Sequence, residues 1–325
     1  MKIISFSDTH GELPDIGEFD LMLIAGDVSP GGSFPNQKKW WLNEFYDWFK
    51  HLTLKDNSRI LITPGNHDCR QLFNSSKFLK EVESRFSTYV KFLIDEKFIY
   101  EYYDGEELKT LTIYGTPWCT KFGNWDFMGD DSWLESIFRE IPENLDILLT
   151  HDAPYGCSDI CYQGISAGIH IGNVPLREAI LEKKPKYCIH GHLHTSNHEP
   201  MFLQGTRVIN VALLDEQYEV SYKPLILNEY NLNCTVNEEL NDDELIFPNR
   251  SGRLVRLRKT GIDWTLDLDD YLYYTRVGYN DDGIQYIDPD SGPMLMVGAK
   301  WFGYKIETIR EIDNDYIFTL SKCTD

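Results

Sequence analysis

Five apolar runs, each closed by a short cluster of acidic, amide or imidazole side chains, constrain this chain more than any other feature. The run at 2–6 leads to Asp8-Thr9-His10, 21–25 to Gly26-Asp27, and 59–63 to Gly65-Asn66-His67-Asp68. The run at 146–149 leads to Thr150-His151, and 187–190 to Gly191-His192-Leu193-His194. Short aliphatic runs bounded by Gly, Pro, Asp or Asn read as buried strands. In open α/β sheets, ligands bind beyond the carboxyl ends of such strands. The pattern therefore gathers two aspartates, an asparagine and four histidines at one sheet edge.

Between these runs, 38–50 carries Trp40, Trp41, Phe45, Trp48 and Phe49 at helical spacing, and 75–88 reads as a second helix. Segments 100–114 and 202–226 read as hairpins, with turn signals at Asp104-Gly105 and Gln204-Gly205. Antiparallel strands added to a parallel core predict an α/β fold with two mixed β-sheets packed as a sandwich and flanked by helices. That domain spans 1–228. The polar stretch 229–243 reads as a linker. Short alternating segments at 253–258, 271–277, 284–287 and 304–309 predict a small, mostly β accessory domain over 244–325. Within it, Arg253, Arg256, Arg258 and Lys259 form a basic cluster that reads as a charge-balanced sheet edge.

The charge balance limits the partners. With 31 basic and 52 acidic residues the formal net charge is −21, which disfavours a long nucleic acid because polymer binding relies on many Lys and Arg contacts to phosphate. No run approaches the roughly 18 apolar residues of a membrane span. The opening residues run directly into the first cluster, so we expect no leader peptide. Seven cysteines without an even, closely spaced framework fit a reducing compartment, and we expect a cytoplasmic protein. Cys157 and Cys161 lack a second pair at zinc-finger spacing and read as ordinary loop residues.

Taken by chemistry alone, the ligand set suits two divalent cations sharing a carboxylate, an arrangement used in metal-assisted phosphoester hydrolysis. The five blocks, in this order and with every ligand type present, resemble the calcineurin-like metallophosphoesterase superfamily over roughly the first 228 residues. A narrower similarity, to small metallophosphodiesterases related to vertebrate fetal-brain metallophosphoesterase-domain proteins, lies in Tyr114-Gly115-Thr116-Pro117-Trp118 and Asn124-Trp125-Asp126-Phe127. Thr150-His151-Asp152-Ala153-Pro154 and 175–180 share in it.

The resemblance implies the metallophosphoesterase fold and a binuclear site. Asp8, His10, Asp27 and His194 would surround one ion, and Asn66, His151 and His192 the other, with Asp27 bridging. It implies a phosphodiesterase acting on a small phosphorylated substrate such as a cyclic or short nucleotide, by in-line attack of a hydroxide held between the cations. His67 would stabilise the transition state or protonate the leaving oxygen, and Asp68 would hold its tautomer, the alternative for Asp68 being a cap of the following turn. Manganese is the expected assay metal, with iron, zinc, nickel or magnesium also compatible with these donors.

Trp118, Phe122, Trp125 and Phe127 form an aromatic loop. The first three are candidates to stack a substrate base, against the commoner role of aromatics in a core. His51, His170 and His198 read as surface or core histidines, and His190 as structural, since alternation turns it away from its neighbour. A nuclease or phosphomonoesterase with the same metals is the alternative enzyme. The alternative of another class is a regulatory protein whose acidic C-terminal domain recruits a partner or a second copy.

Overall fold

The structure is a computed structural model that describes residues 1–160, 170–194, 198 and 200–228, and strand segments between 244 and 322. Met1–Asn233 and Cys234–Asp325 form two compact units.

In chain order, the strands of the first unit are β1 (Lys2–Phe6), β2 (Leu21–Ala25), β3 (Arg59–Thr63), β4 (Val90–Phe92), β5 (Glu96–Asp104) and β6 (Glu107–Thr116). They continue with β7 (Cys119–Thr120), β8 (Met128–Gly129), β9 (Ile147–Thr150), β10 (Tyr187–His190), β11 (Met201–Leu203), β12 (Thr206–Asn210) and β13 (Leu225–Asn228). The helices are α1 (Phe34–Leu42), α2 (Glu44–Lys50), α3 (Arg70–Phe73), α4 (Ser76–Phe86), α5 (Asp131–Phe138) and α6 (Val174–Lys183). One sheet runs β13-β1-β2-β3-β4 and the other β11-β12-β10-β9-β6-β5. Both are mixed. β13 is the antiparallel edge of the first, while β11 and β5 are the antiparallel edges of the second.

Side-chain alternation produces the layers. Along β2, Leu21, Leu23 and Ala25 pack in one cluster with Ile147, Leu149 and Ile189 of the facing sheet. Met22 and Ile24 pack in another, with Trp41, Phe45 and Phe78 from the helices. Every residue of β2 is buried, so its sequence is continuously apolar instead of alternating. The result is the expected α/β fold, two mixed sheets face to face with helices outside.

Three expectations change in the first unit. The helix over 38–50 is two helices, α1 beginning earlier at Phe34 with Pro35 in its first turn, where a missing N–H costs nothing. The chain bends at Asn43, whose φ and ψ are −119° and −71°, before α2 starts. The second helix ends at Phe86, one residue before Ser87 takes a φ of 53°. Finally, 202–226 is not one hairpin. Only β11 and β12 pair around Gln204-Gly205, and β13 crosses to the other sheet to pair with β1. Leu213 N–H donating to Ser7 O at 3.0 Å ties the crossing segment to the end of β1.

In the second unit, β14 (Glu244–Pro248), β15 (Leu254–Thr260), β16 (Asp263–Leu266), β17 (Tyr274–Tyr279), β18 (Gln285–Pro289), β19 (Leu295–Met296), β20 (Lys300–Trp301), β21 (Tyr304–Ile312) and β22 (Asp315–Lys322) follow. They form a six-stranded sheet, β14-β15-β16-β22-β21-β20, and a three-stranded sheet, β17-β18-β19. The strand carrying Arg256, Arg258 and Lys259 is paired on both sides, by β14 and β16, so it is an interior strand and not the expected edge. Its register sets Arg258 opposite Glu244. The predicted linker 229–243 lies outside the described residues. Among the described residues no helix is long and apolar enough to cross a membrane.

Candidate metal centre

The loops after β1, β2, β3, β9 and β10 converge. Asp8, His10 and His194 present ligand atoms within 4.8 Å of one another, as do Asp8, Asp27 and His151, and likewise Cys119, His151 and His192. Asp27 stands between the groups, its Oδ2 at 3.3 Å from His151 Nε2 and 3.9 Å from His10 Nε2. Asn66 Oδ1 lies 3.0 Å from His151 Nε2, and Asp8 Oδ1 lies 3.3 Å from His194 Nε2. All seven sequence-predicted ligands are thus brought together from both sheets.

The backbone is bent to achieve this. Asp8, His10, Asp27 and His192 all have left-handed φ, at 51°, 45°, 50° and 70°. Such conformations cost non-glycine residues on the order of 1–3 kcal/mol each and persist where the surroundings over-determine them. Here the determinants are hydrogen bonds between loops. Asp8 and His10 N–H donate to the carbonyls of Gly26 and Asp27, each at 3.0 Å, and His192 N–H donates to Asp8 Oδ2 at 2.9 Å. Gly26, at φ 92°, has no room for a Cβ beside the His151 ring, and a Cβ on Gly191 would meet the Asp8 carboxylate and the Ser7 hydroxyl.

The electrostatics fit cations. Two buried carboxylates face several imidazoles, and among the described residues His10 Nε2 and Asn66 Nδ2 are buried without a hydrogen-bond partner. Such orphans call for an explanation, and an ion is one. Burial pulls the His151 imidazolium down, but the Asp27 charge overrides it and lifts His151 to about 10. Burial likewise opposes, and Asp8 overrides, at His194, which reaches about 9. Reciprocally, burial raises Asp8 and Asp27, and their histidine partners bring both below the ordinary carboxylate value. The donor set of carboxylate, amide and imidazole accepts first-row divalent ions.

His67 occupies the rim. Its ring packs 4.2 Å from that of Trp125 and 5.0 Å from that of His10, and the His67 backbone N–H donates to Asp27 Oδ1 at 2.7 Å. Asp68 does not hold the His67 ring, contrary to expectation. Its buried carboxylate accepts from the N–H groups of Val28 at 3.3 Å, Ser29 at 3.1 Å and Gly65 at 2.9 Å, and from the Ser29 hydroxyl at 2.7 Å. Asp68 therefore staples the loops after β2 and β3. Burial, with the Asp27 charge, raises its carboxyl.

The aromatic loop divides. Trp118 is only 5% exposed, its indole N–H donates to Asp95 Oδ2 at 2.7 Å, and Phe127 and Trp133 pack on it, so it is a core residue and offers no stacking face. Trp125 and Phe122 are 51% and 62% exposed, with Phe122 packing 5.5 Å from the His192 ring. These two flank the cluster. His190 is buried beside it, pushed down to about 4 by burial, and belongs to none of the three groups. His198 stacks on Tyr222, and His170 Nδ1 lies 2.6 Å from Asp159 Oδ1.

Several contributors escaped the sequence reading. Asp215 accepts at its carbonyl from His194 Nδ1 at 3.0 Å, and its carboxylate organises the turn carrying Tyr218. Tyr218 takes a left-handed φ of 61° and sets its ring 4.8 Å from His10. No local pattern marks them. Asp152 had a signal, lying beside His151; it accepts from Thr120 N–H at 2.8 Å and Asn173 Nδ2 at 3.1 Å. Cys119, next to Trp118, was the remaining one.

Two mixed sheets packed face to face, with clustered Asp, Asn and His at their strand ends, place a candidate metal centre at one edge of the sandwich. Residues 1–196 match the calcineurin-like phosphoesterase family, and the chain belongs to that family, which typically carries a binuclear metal centre. A UPF0046 protein of Caenorhabditis elegans is 28% identical over 250 residues, covering 70% of this chain and 60% of that protein. Metallophosphoesterase domain-containing protein 1 of Homo sapiens is 24% identical over 244 residues, covering 70% of each chain. This chain thus aligns with only 60% of the length of the first relative. A crystal structure from Thermus thermophilus covers 70% of this chain and 98% of its own, at 15% identity and a TM-score of 0.44.

Proposed function

We propose that the chain is a binuclear phosphodiesterase acting on a small phosphodiester, such as a cyclic nucleotide or short nucleotide. The observation carrying this reading is the position of Asp27 Oδ2 between His151 on one side and His10 on the other, as a bridging carboxylate requires. In this reading Asp8, His10, Asp27 and His194 hold one cation, and Asn66, His151 and His192 with Asp27 hold the other. Cations bound by these residues would polarise phosphoryl oxygens and lower the pKa of water.

The chain's own groups do the rest. His67, on the rim and backed by Trp125, delivers a proton to the leaving oxygen, a role that contributes about 10²–10⁴-fold. Phe122 and Trp125 leave exposed faces against which a planar base stacks. The net charge of −21 supports a small substrate over a polymer. Manganese is the assay ion we assign to the oxygen-rich pocket.

The test is turnover of a nitrophenyl phosphodiester against the corresponding monoester, after adding manganese to metal-stripped protein, followed by a screen of cyclic nucleotides and dinucleotides. Faster diester turnover is expected. Monoester preference would transfer the reading to a phosphomonoesterase, and no turnover of either, with both metals bound, to a binding protein. His67→Ala should lose most turnover while retaining both metals.

A further inference from the structure

Cys157 and Cys188 belong to the hydrophobic core, whereas Cys119 is fully buried but lies outside the apolar clusters of the described residues. Its Sγ instead lies within 4.8 Å of ligand atoms of His151 and His192. Among the described residues its hydrogen-bond contact is a weak one, at 3.5 Å to the Pro117 carbonyl. In the same place Asn66 directs Oδ1 to within 3.0 Å of His151 Nε2 and leaves its buried Nδ2 without a partner.

The position of the sulfur is set from three sides. Cys119 N–H donates to Phe127 O at 2.8 Å, Lys121 N–H to Gly129 O at 3.0 Å, and Thr120 N–H to Asp152 Oδ2 at 2.8 Å. Asp152 follows His151 directly, so the same short loop carries the imidazole and anchors the strand bearing the thiol. A side chain held this way meets a cation without rearrangement of its backbone.

We infer that Cys119 is a sulfur ligand of the cation held by Asn66, His151 and His192, and that it makes this pocket select zinc or iron over manganese or magnesium. The inference rests on the binuclear reading above. On ligation the S–H bond breaks, the sulfur–metal bond forms, and the proton passes to solvent, with no change of oxidation state. Thiolate donors favour softer ions, whereas the carboxylate-rich pocket around Asp8 retains its tolerance for hard ones. The two pockets would then hold different metals from a mixed supply.

The test uses the full chain, metal-stripped and reloaded with cobalt(II). Wild-type protein with two cobalt ions should show a near-ultraviolet sulfur-to-cobalt charge-transfer band. Cys119→Ser should bind two cobalt ions without that band, and Cys157→Ser should keep it. In competition, the zinc-over-manganese preference should fall at least about tenfold in Cys119→Ser, the lower end of what altering a metal's surroundings costs. X-ray absorption of the wild-type zinc protein, which needs no variant, should show a sulfur at about 2.3 Å. Two bound ions with only nitrogen and oxygen neighbours, or an unchanged band in Cys119→Ser, overturn the assignment while leaving the binuclear reading intact. Failure to bind cobalt at all overturns both.

Discussion

His151 and Asp27 meet across the sandwich, with Nε2 of the histidine 3.3 Å from Oδ2 of the aspartate and both side chains almost wholly buried. His151 leaves the end of β9 in one sheet, and Asp27 follows β2 in the other. The second ring nitrogen, Nδ1, lies 2.7 Å from the Ala25 carbonyl, to which it can only donate. That bond directs Nε2 at Asp27, so the orientation of the ring is built into the backbone of β2.

This contact predicts how metal binding depends on pH. His151 and His194, lifted to about 10 and about 9, carry protons that a cation must displace. Metal affinity should rise with pH, with about two protons released from these imidazoles per loaded chain near pH 8 and about one more from the Cys119 thiol under the assignment above. Calorimetry in buffers of different ionisation enthalpy measures that release. In the metal-free protein the same raised values give a stabilisation present in full below the ordinary histidine value of about 6.5 and lost as pH rises through about 9 to 10.

Asp68→Ala should destabilise the protein by about 3 kcal/mol, because it strands three buried N–H groups and the Ser29 hydroxyl in a dry environment. Urea unfolding measures this. A loss under about 1 kcal/mol would show that water replaces the carboxylate.

Gly191→Ala pushes a methyl group against the Asp8 carboxylate and the Ser7 hydroxyl. The expected outcome is a folded protein with about 10–100-fold weaker affinity in the pocket of Asp8, His10 and His194. Mass-spectrometric metal content at limiting ion concentration reports it, and full occupancy at wild-type affinity contradicts it.

Trp118 and Trp125 should separate cleanly. Trp118→Ala removes a buried indole and is expected to cost about 3–5 kcal/mol of stability. Trp125→Ala removes a half-exposed ring and should leave the melting temperature nearly unchanged. Losing one stacked base, worth about 1–3 kcal/mol, should raise KM for nucleotide diesters by about tenfold or more, with little change for a substrate lacking a base. The monitored quantities are KM for both substrates and Tm for both variants.

Much of the first unit was readable because its strands obey local rules. The runs ending at Phe6, Ala25, Thr63 and His190 are strands with the expected bounds, since burial on both faces forces a continuous aliphatic pattern. The destination of β13 was not readable. Nothing local distinguishes a strand that closes a hairpin from one that crosses to pair with β1. Trp118 and Trp125, one aromatic type in one loop, were likewise inseparable until tertiary packing buried the first and exposed the second. The partners of Asp68 lie across the sheet, so the residue next to His67 proved to serve other loops.

What the sequence determined by itself was chemical: which donors stand at the ends of which strands, because side-chain identity and strand periodicity are properties of neighbouring residues. What only the tertiary structure decided was proximity between distant loops. It set Asp27 between two histidine clusters, swung Asp68 away from His67, and brought Cys119 beside His151 and His192. Distances of this kind depend on how two sheets stack and how left-handed loops are braced between them, and no stretch of neighbouring residues encodes them.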